Sequence, residues 1–167
     1  MHKLLRQIVK TGMLRSRPCP RRDRARDIHT SPPSLAEELG RALAVRHVDT
    51  GSCNGCELEI QALGNAIYNL AAIGVRLVAS PRHADILLVT GPVARAMAAP
   101  LRATYDAVPA PKRVVALGDC ACGCGVYSPN YATVGKVDDV IPVDVAIPGC
   151  PPPPETIREA FATLICR

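Results

Sequence analysis

Three short loops rich in glycine or proline, each carrying cysteine, follow directly on short apolar runs. They are Gly51-Ser52-Cys53-Asn54-Gly55-Cys56-Glu57, Gly118-Asp119-Cys120-Ala121-Cys122-Gly123-Cys124-Gly125 and Pro148-Gly149-Cys150-Pro151-Pro152. This placement constrains the fold more than any bulk property. If the apolar runs are parallel strands of one sheet, their carboxyl ends share an edge, and loops with 63 and 29 residues between their cysteines meet there. Glycine beside a cysteine allows close backbone approach, and loop N–H groups can then hydrogen-bond thiolates. Pro148 and Pro151 stiffen the last loop.

The rest of the pattern agrees with such a sheet. From about residue 43, short apolar runs alternate with helical stretches across Gly/Pro turns, as in an α/β protein. Strands are expected at Leu43–Val48, Val75–Ala79, Asp85–Thr90, Lys112–Leu117 and Val143–Ile147, and helices at Glu57–Ala72, Ala94–Ala107 and Pro153–Ile165. The last helix opens with a proline run, tolerated because the missing N–H would be unpaired there. The layout resembles a flavodoxin-like parallel sheet flanked by helices. One spacing resists it: only Ser80–Ala84 separate the second and third strands, and a parallel crossover usually needs a dozen residues or more.

Eight cysteines are a high count for a chain without a secretory signal, and the 48% apolar content of these 167 residues is too large for a disulfide-stapled mini-domain. Metal or redox chemistry is the expectation. Structural zinc usually takes two short Cys-x-x-Cys knuckles, whereas here one close pair is joined by isolated cysteines from distant strand ends, which favours a 4Fe-4S cluster. Spacing alone leaves Cys120, Cys122 and Cys124 competing for the third ligand position, since alternate residues of one short loop do not all face one cup. Cys19 and Cys166 have no identifiable partners and read as incidental thiols.

The net charge of +5 divides unevenly. Residues 1–29 hold nine Lys/Arg against two acids, a charge of +7, and the remainder holds eleven basic and thirteen acidic residues, a charge of −2. With no Trp, one Phe and four Tyr there is little on which to stack bases, so nucleic acid is not an expected partner. Leu4, Leu5, Ile8, Val9 and Met13 recur at helical spacing opposite Lys3, Arg6 and Lys10, the pattern of a basic amphipathic helix that docks on an anionic membrane surface or a partner. Pro18, Pro20, Pro32 and Pro33 mark a linker, followed by a short helix over Leu35–Arg41. The expected division is a basic extension over 1–40 and one domain over 41–167. Asp23 and Asp27 count against a mitochondrial transit peptide, and Arg21-Arg22 lacks the apolar stretch of an export signal. No apolar run approaches the roughly 18 residues of a membrane span.

At the cysteine loops the sequence resembles the small, cluster-binding subunit shared by nickel-iron hydrogenases and respiratory complex I, the 20 kDa subunit family. The matching stretches are Thr50–Ile60, Ser80–Gly91, Arg113–Cys120 and Asp138–Pro152, and coverage runs from about residue 43 to the end. The resemblance implies a flavodoxin-like fold and one 4Fe-4S cluster ligated by Cys53, Cys56, Cys120 and Cys150, which resolves the third position in favour of Cys120. Complex I subunits have two adjacent cysteines in the first motif. The spaced pair in Cys53-Asn54-Gly55-Cys56 is typical of the hydrogenase side and looks most similar to membrane-associated enzymes such as formate hydrogenlyase. The implied role is electron transfer to or from a NiFe-type large subunit, within a complex of other iron-sulfur and membrane subunits at the cytoplasmic face of the membrane. The alternative is a complex I type subunit next to a 49 kDa-type partner, passing electrons to quinone.

Four further features carry expectations. Arg82 and His83 are read as surface residues, with positive charge near the cluster as the alternative. Glu57 and Glu59 open a helix, where acids suit its dipole, and Glu57 is also a candidate for a proton route. Gly91-Pro92-Val93 is expected to shape the cysteine edge. The low aromatic content and edge-sited cluster predict a substantial apolar interface with a partner.

Overall fold

The computed structural model describes residues 42–127 and 130–165, together with His2 and Arg6. The expected amphipathic segment, linker and Leu35–Arg41 helix otherwise lie outside these residues, as do Cys19 and Cys166. In chain order the elements are β1 (Leu43–Asp49), α1 (Gly55–Ala62), β2 (Val75–Leu77), β3 (Ile86–Thr90), β4 (Val93–Ala94), α2 (Arg95–Ala107), β5 (Arg113–Leu117), α3 (Asp119–Cys122), β6 (Thr133–Gly135), β7 (Val145–Ile147) and α4 (Pro154–Ile165). Five strands form a wholly parallel sheet in the order β2-β1-β3-β5-β7.

Both faces of this sheet are covered, which is why its central strands read as continuous apolar runs. Along β3, Ile86 and Leu88 face one core, while Leu87 and Val89 face the other. Helices α1 and α4 close the first core through Ile60, Ile157 and Phe161. Helices α2 and α3 close the second through Leu101, Ala121 and Cys122.

The short link between β2 and β3 has a register explanation. Leu77, the last residue of β2, lies opposite Val45 on one side of β1, and Ile86, the first of β3, lies opposite Val45 on the other. Because β3 starts at the level where β2 stops, the chain does not run back along the sheet. A 3-10 turn at Pro81–His83 is enough, secured by Val78 N–H donating to Val45 O and Asp85 N–H to Ala44 O, at 2.8 and 2.7 Å.

Three elements differ from expectation. Helix α1 stops at Ala62, ten residues early, because the Asn65 carboxamide accepts from the N–H groups of Ile67 and Tyr68 at 2.9 Å each and turns the chain out of the helix. A 3-10 turn over Leu70–Ile73 follows. A two-stranded antiparallel ribbon of β4 and β6 and the four-residue helix α3 are additions. Each is too short to show periodicity.

Candidate metal centre

All three cysteine loops leave the carboxyl ends of parallel strands: β1 for Cys53 and Cys56, β5 for Cys120, and β7 for Cys150. At the end of β1 the Asp49 carboxylate accepts from Gly51 and Ser52 N–H at 2.8 Å each, bending the chain into the first loop. Burial alone would raise the Asp49 carboxyl. The backbone N–H donors, the Ser52 hydroxyl and His47 outweigh it and hold the group below its ordinary value. Fully buried Thr50 donates its hydroxyl to Thr90 O at 2.7 Å, joining this loop to β3. The loop packs so closely on the next strand end that a Cβ at Gly91 would meet Ser52 N at 2.5 Å, and Gly91 also has φ +78°. Asn54 makes the turn between the two cysteines with φ 70°, a left-handed conformation Asn tolerates.

Asp119 holds the second and third loops together. Its carboxylate accepts from Gly149 N–H, and its own N–H donates to Gly149 O, both at 2.8 Å. The first loop joins them at two points. A Cβ at Gly118 would lie 2.6 Å from Cys56 Sγ, and one at Gly55 would lie 3.6 Å from Cys53 Sγ and 3.8 Å from the Pro151 ring. A Cβ at Gly125 would run into Cys120 Sγ. Glycine is therefore the residue that keeps the space around these sulfurs open.

Two of the thiols, Cys56 and Cys120, feel the charges of cysteines on the other loops. Burial, then Glu57, Cys120, Cys53 and Cys150, push the Cys56 thiol up to about 12. Cys120 is raised by burial and by Cys150, Cys53 and Asp119, while a hydrogen bond from Tyr127 N–H pulls it down. Thiols so placed stay protonated at neutral pH unless a bound cationic centre takes their charge, which iron does. Among the described residues no three His, Cys, Asp or Glu side chains are placed to share one metal ion. The all-sulfur donor set, the Tyr127 N–H on sulfur and the glycine-walled space nonetheless fit an iron-sulfur group.

The remaining cysteines behave differently. Cys122 is buried in the second core, its Sγ 3.8 Å from Ala116 O, on the other face of the sheet from Cys56. Cys124 is disulfide-bonded. Arg82 and His83 are exposed in the turn entering β3, at the edge opposite the cysteine loops, so the surface reading holds. Three contributors escaped sequence reading. Asp49 before Thr-Gly-Ser has the pattern of a side chain capping its own turn. Asp119, next to Cys120, and the Tyr127 N–H are visible only once the loops are placed.

A family model described as NADH ubiquinone oxidoreductase, 20 Kd subunit, matches residues 53–164. The chain is 48% identical over 123 residues to the probable membrane-bound hydrogenase subunit mbhJ of Pyrococcus furiosus, covering 74% of each. It is 43% identical over 129 residues to formate hydrogenlyase subunit 7 of Escherichia coli, covering 77% of this chain and 51%, about half, of that one. It is 43% identical over 126 residues to an NADH-quinone oxidoreductase subunit of Desulfovibrio desulfuricans, covering 75% and 67%. Among solved structures, a chain of an archaeal membrane-bound sulfane sulfur reductase superposes with a TM-score of 0.65 at 32% identity, covering 78% of this chain and 74% of that one.

Proposed function

The chain belongs to the NADH ubiquinone oxidoreductase 20 kDa subunit family, a family of oxidoreductase subunits, and from that premise we propose that it is the electron-transfer subunit of a membrane-associated NiFe hydrogenase-type complex. Cys53, Cys56, Cys120 and Cys150 would hold one 4Fe-4S cluster. The observation that carries this reading is the meeting of three cysteine loops at one sheet edge, where the thiols of Cys56 and Cys120 are raised by burial and by cysteines of the other loops.

A bound 4Fe-4S cluster would supply one-electron storage at the rim of the sheet. The protein holds the sulfurs through the Asp49 and Asp119 loop clamps, excludes side chains at Gly118 and Gly125, and stabilises negative charge on Cys120 through Tyr127 N–H. The chain has a single Cys-x-x-Cys pair, so hydrogen chemistry at nickel would belong to a large-subunit partner. Exposed Val126 and Tyr127, close in sequence to Cys120, and exposed Tyr131 and Val134 supply an apolar surface for it. No helix among the described residues is long and apolar enough to cross a membrane, so attachment at the cytoplasmic face would run through other subunits or the basic N-terminal segment.

The hydrogenase branch is favoured by the spaced Cys53/Cys56 pair and by the hydrogenase relatives. The 43% identity to an NADH-quinone oxidoreductase subunit supports a second reading, a complex I type protein delivering electrons to quinone. Anaerobic co-purification of the chain with its large subunit separates the two. The first reading predicts nickel in the partner and hydrogen-dependent dye reduction. A nickel-free partner with quinone reductase activity would contradict it and support the second.

A further inference from the structure

Beside the cysteine loops, the ribbon of β4 and β6 frames an open cavity of about 430 Å³ lined by Arg95, Asn130, Tyr131, Thr133 and Val134. Backbone contacts fix its place. Ala94 N–H donates to Thr50 O at 2.8 Å, and Arg95 N–H donates to Ala132 O at 2.9 Å. Gly51, two residues before Cys53, packs on the same strand, since a Cβ there would lie 3.2 Å from Ala94 Cβ. The cavity is therefore built onto the first cysteine loop.

Its lining is apolar at exposed Tyr131 and Val134 and cationic at Arg95. The polar groups of Asn130 and Thr133 are engaged locally. The Asn130 carboxamide oxygen accepts from Ala132 and Thr133 N–H, and the Thr133 hydroxyl accepts from Asn130 N–H. Lys136, the other cation of the ribbon region, lies 2.9 Å from Asp138 and 3.9 Å from Asp139. Arg95 has no ion pair or side-chain hydrogen bond among the described residues. Nor does it serve its own helix, because it opens α2, where the dipole disfavours a cation. The surrounding loops carry Asp49, Asp119, Asp138 and Asp139, so Arg95 is an uncommitted cation on an otherwise acidic rim.

We propose that this cavity is the socket for an acidic side chain of the large subunit, whose Asp or Glu carboxylate pairs with the Arg95 guanidinium while Tyr131 and Val134 shelter the pair. The proposal rests on the reading above that this face meets the large subunit, and it adds the chemistry that the partner presents. A planar guanidinium takes a carboxylate through two parallel N–H···O bonds, which fixes orientation as well as position. Along the acidic rim a carboxylate is repelled elsewhere and attracted at Arg95. The pair therefore sets the register in which the cysteine edge faces its partner.

The test follows retention of the large subunit on the tagged chain through a salt series, with iron per chain as the control for folding. Wild-type retention should fall as salt rises. Arg95→Gln should hold the partner about tenfold less well at low salt and lose most of that salt dependence. Arg95→Glu should be weaker still, and Arg95→Lys should keep part of the affinity, having the charge without the fork. Treated with a carbodiimide, the complex carrying Arg95→Lys should yield an amide crosslink from position 95 to an Asp or Glu of the large subunit, read by mass spectrometry. Arg95→Gln with wild-type retention and salt dependence, or a crosslink running only to another subunit, would overturn the proposal. Tyr131→Asp separates the two levels. If it weakens retention and Arg95→Gln does not, the interface stands and the socket falls; if neither variant has an effect, the large subunit docks elsewhere and both fall.

Discussion

Gly125 sets how closely the chain approaches its own cysteine. A Cβ there would meet Cys120 at Sγ and also at its Cα and N, at 2.7 and 2.8 Å for the last two, and backbone atoms do not swing aside as a side chain tip would. Gly125→Ala is therefore expected to cost about 1–3 kcal/mol of overpacking, absorbed by displacing Cys120. Iron bound per chain should drop while the far-UV circular dichroism stays native, and full iron content in the variant would refute the argument. At Asp49 the depressed carboxyl pKa makes a pH prediction. Its contribution to stability is present above the unfolded value, about 3.9, and is lost as pH falls through the lower folded value. Denaturation of wild type and Asp49→Asn between about pH 6 and 3 should therefore show a stability gap that narrows as the solution acidifies. At this scale the sequence was legible wherever chemistry is local. The Gly-flanked cysteines announced a site, but spacing did not choose among Cys120, Cys122 and Cys124. Helix α3 turns Cys122 into the second core beside Ala116, and its four residues carry no periodic signal.

Asp119 is the hinge between elements. Its two reciprocal bonds with Gly149 tie the start of α3 to the loop after β7, and through them Cys120 to Cys150. Asp119→Ala leaves Gly149 N–H without its acceptor and should lower stability by about 1–2 kcal/mol. It should also speed alkylation of Cys150 in the iron-free chain, as measured by mass spectrometry, and unchanged alkylation would show that the loops are held by other contacts. β3 and β5 were readable because burial on both faces makes them nearly continuous apolar runs, and each expected strand is found within a few residues. The end of α1 was not, because the Asn65 turn competes with a helix whose apolar spacing continues past it. The β2 to β3 link looked forbidden only while the two strands were assumed to span the same rows of the sheet. Their staggered register against Val45 removes the conflict.

For the whole molecule, the parallel sheet gathers the cysteine loops at one edge and leaves Val126 and Tyr131, 83% and 92% exposed, on the chain just beyond them. Large apolar side chains so exposed mark an interface, and aromatic anchors carry disproportionate binding energy. Val126→Asp and Tyr131→Asp should each weaken co-purification with the large subunit by tenfold or more, roughly 1.4 kcal/mol, while iron content is unchanged. Retention of the partner by the double variant would place the interface elsewhere. The central claim, that Cys53, Cys56, Cys120 and Cys150 hold one 4Fe-4S cluster, is tested most directly by iron and acid-labile sulfide analysis of the anaerobically purified chain beside Cys150→Ala. The account predicts about four irons and four sulfides per wild-type chain with broad absorbance near 400 nm, lost in the variant. Stoichiometric zinc without iron or sulfide, or a Cys150→Ala protein with the same iron content as wild type, would contradict it.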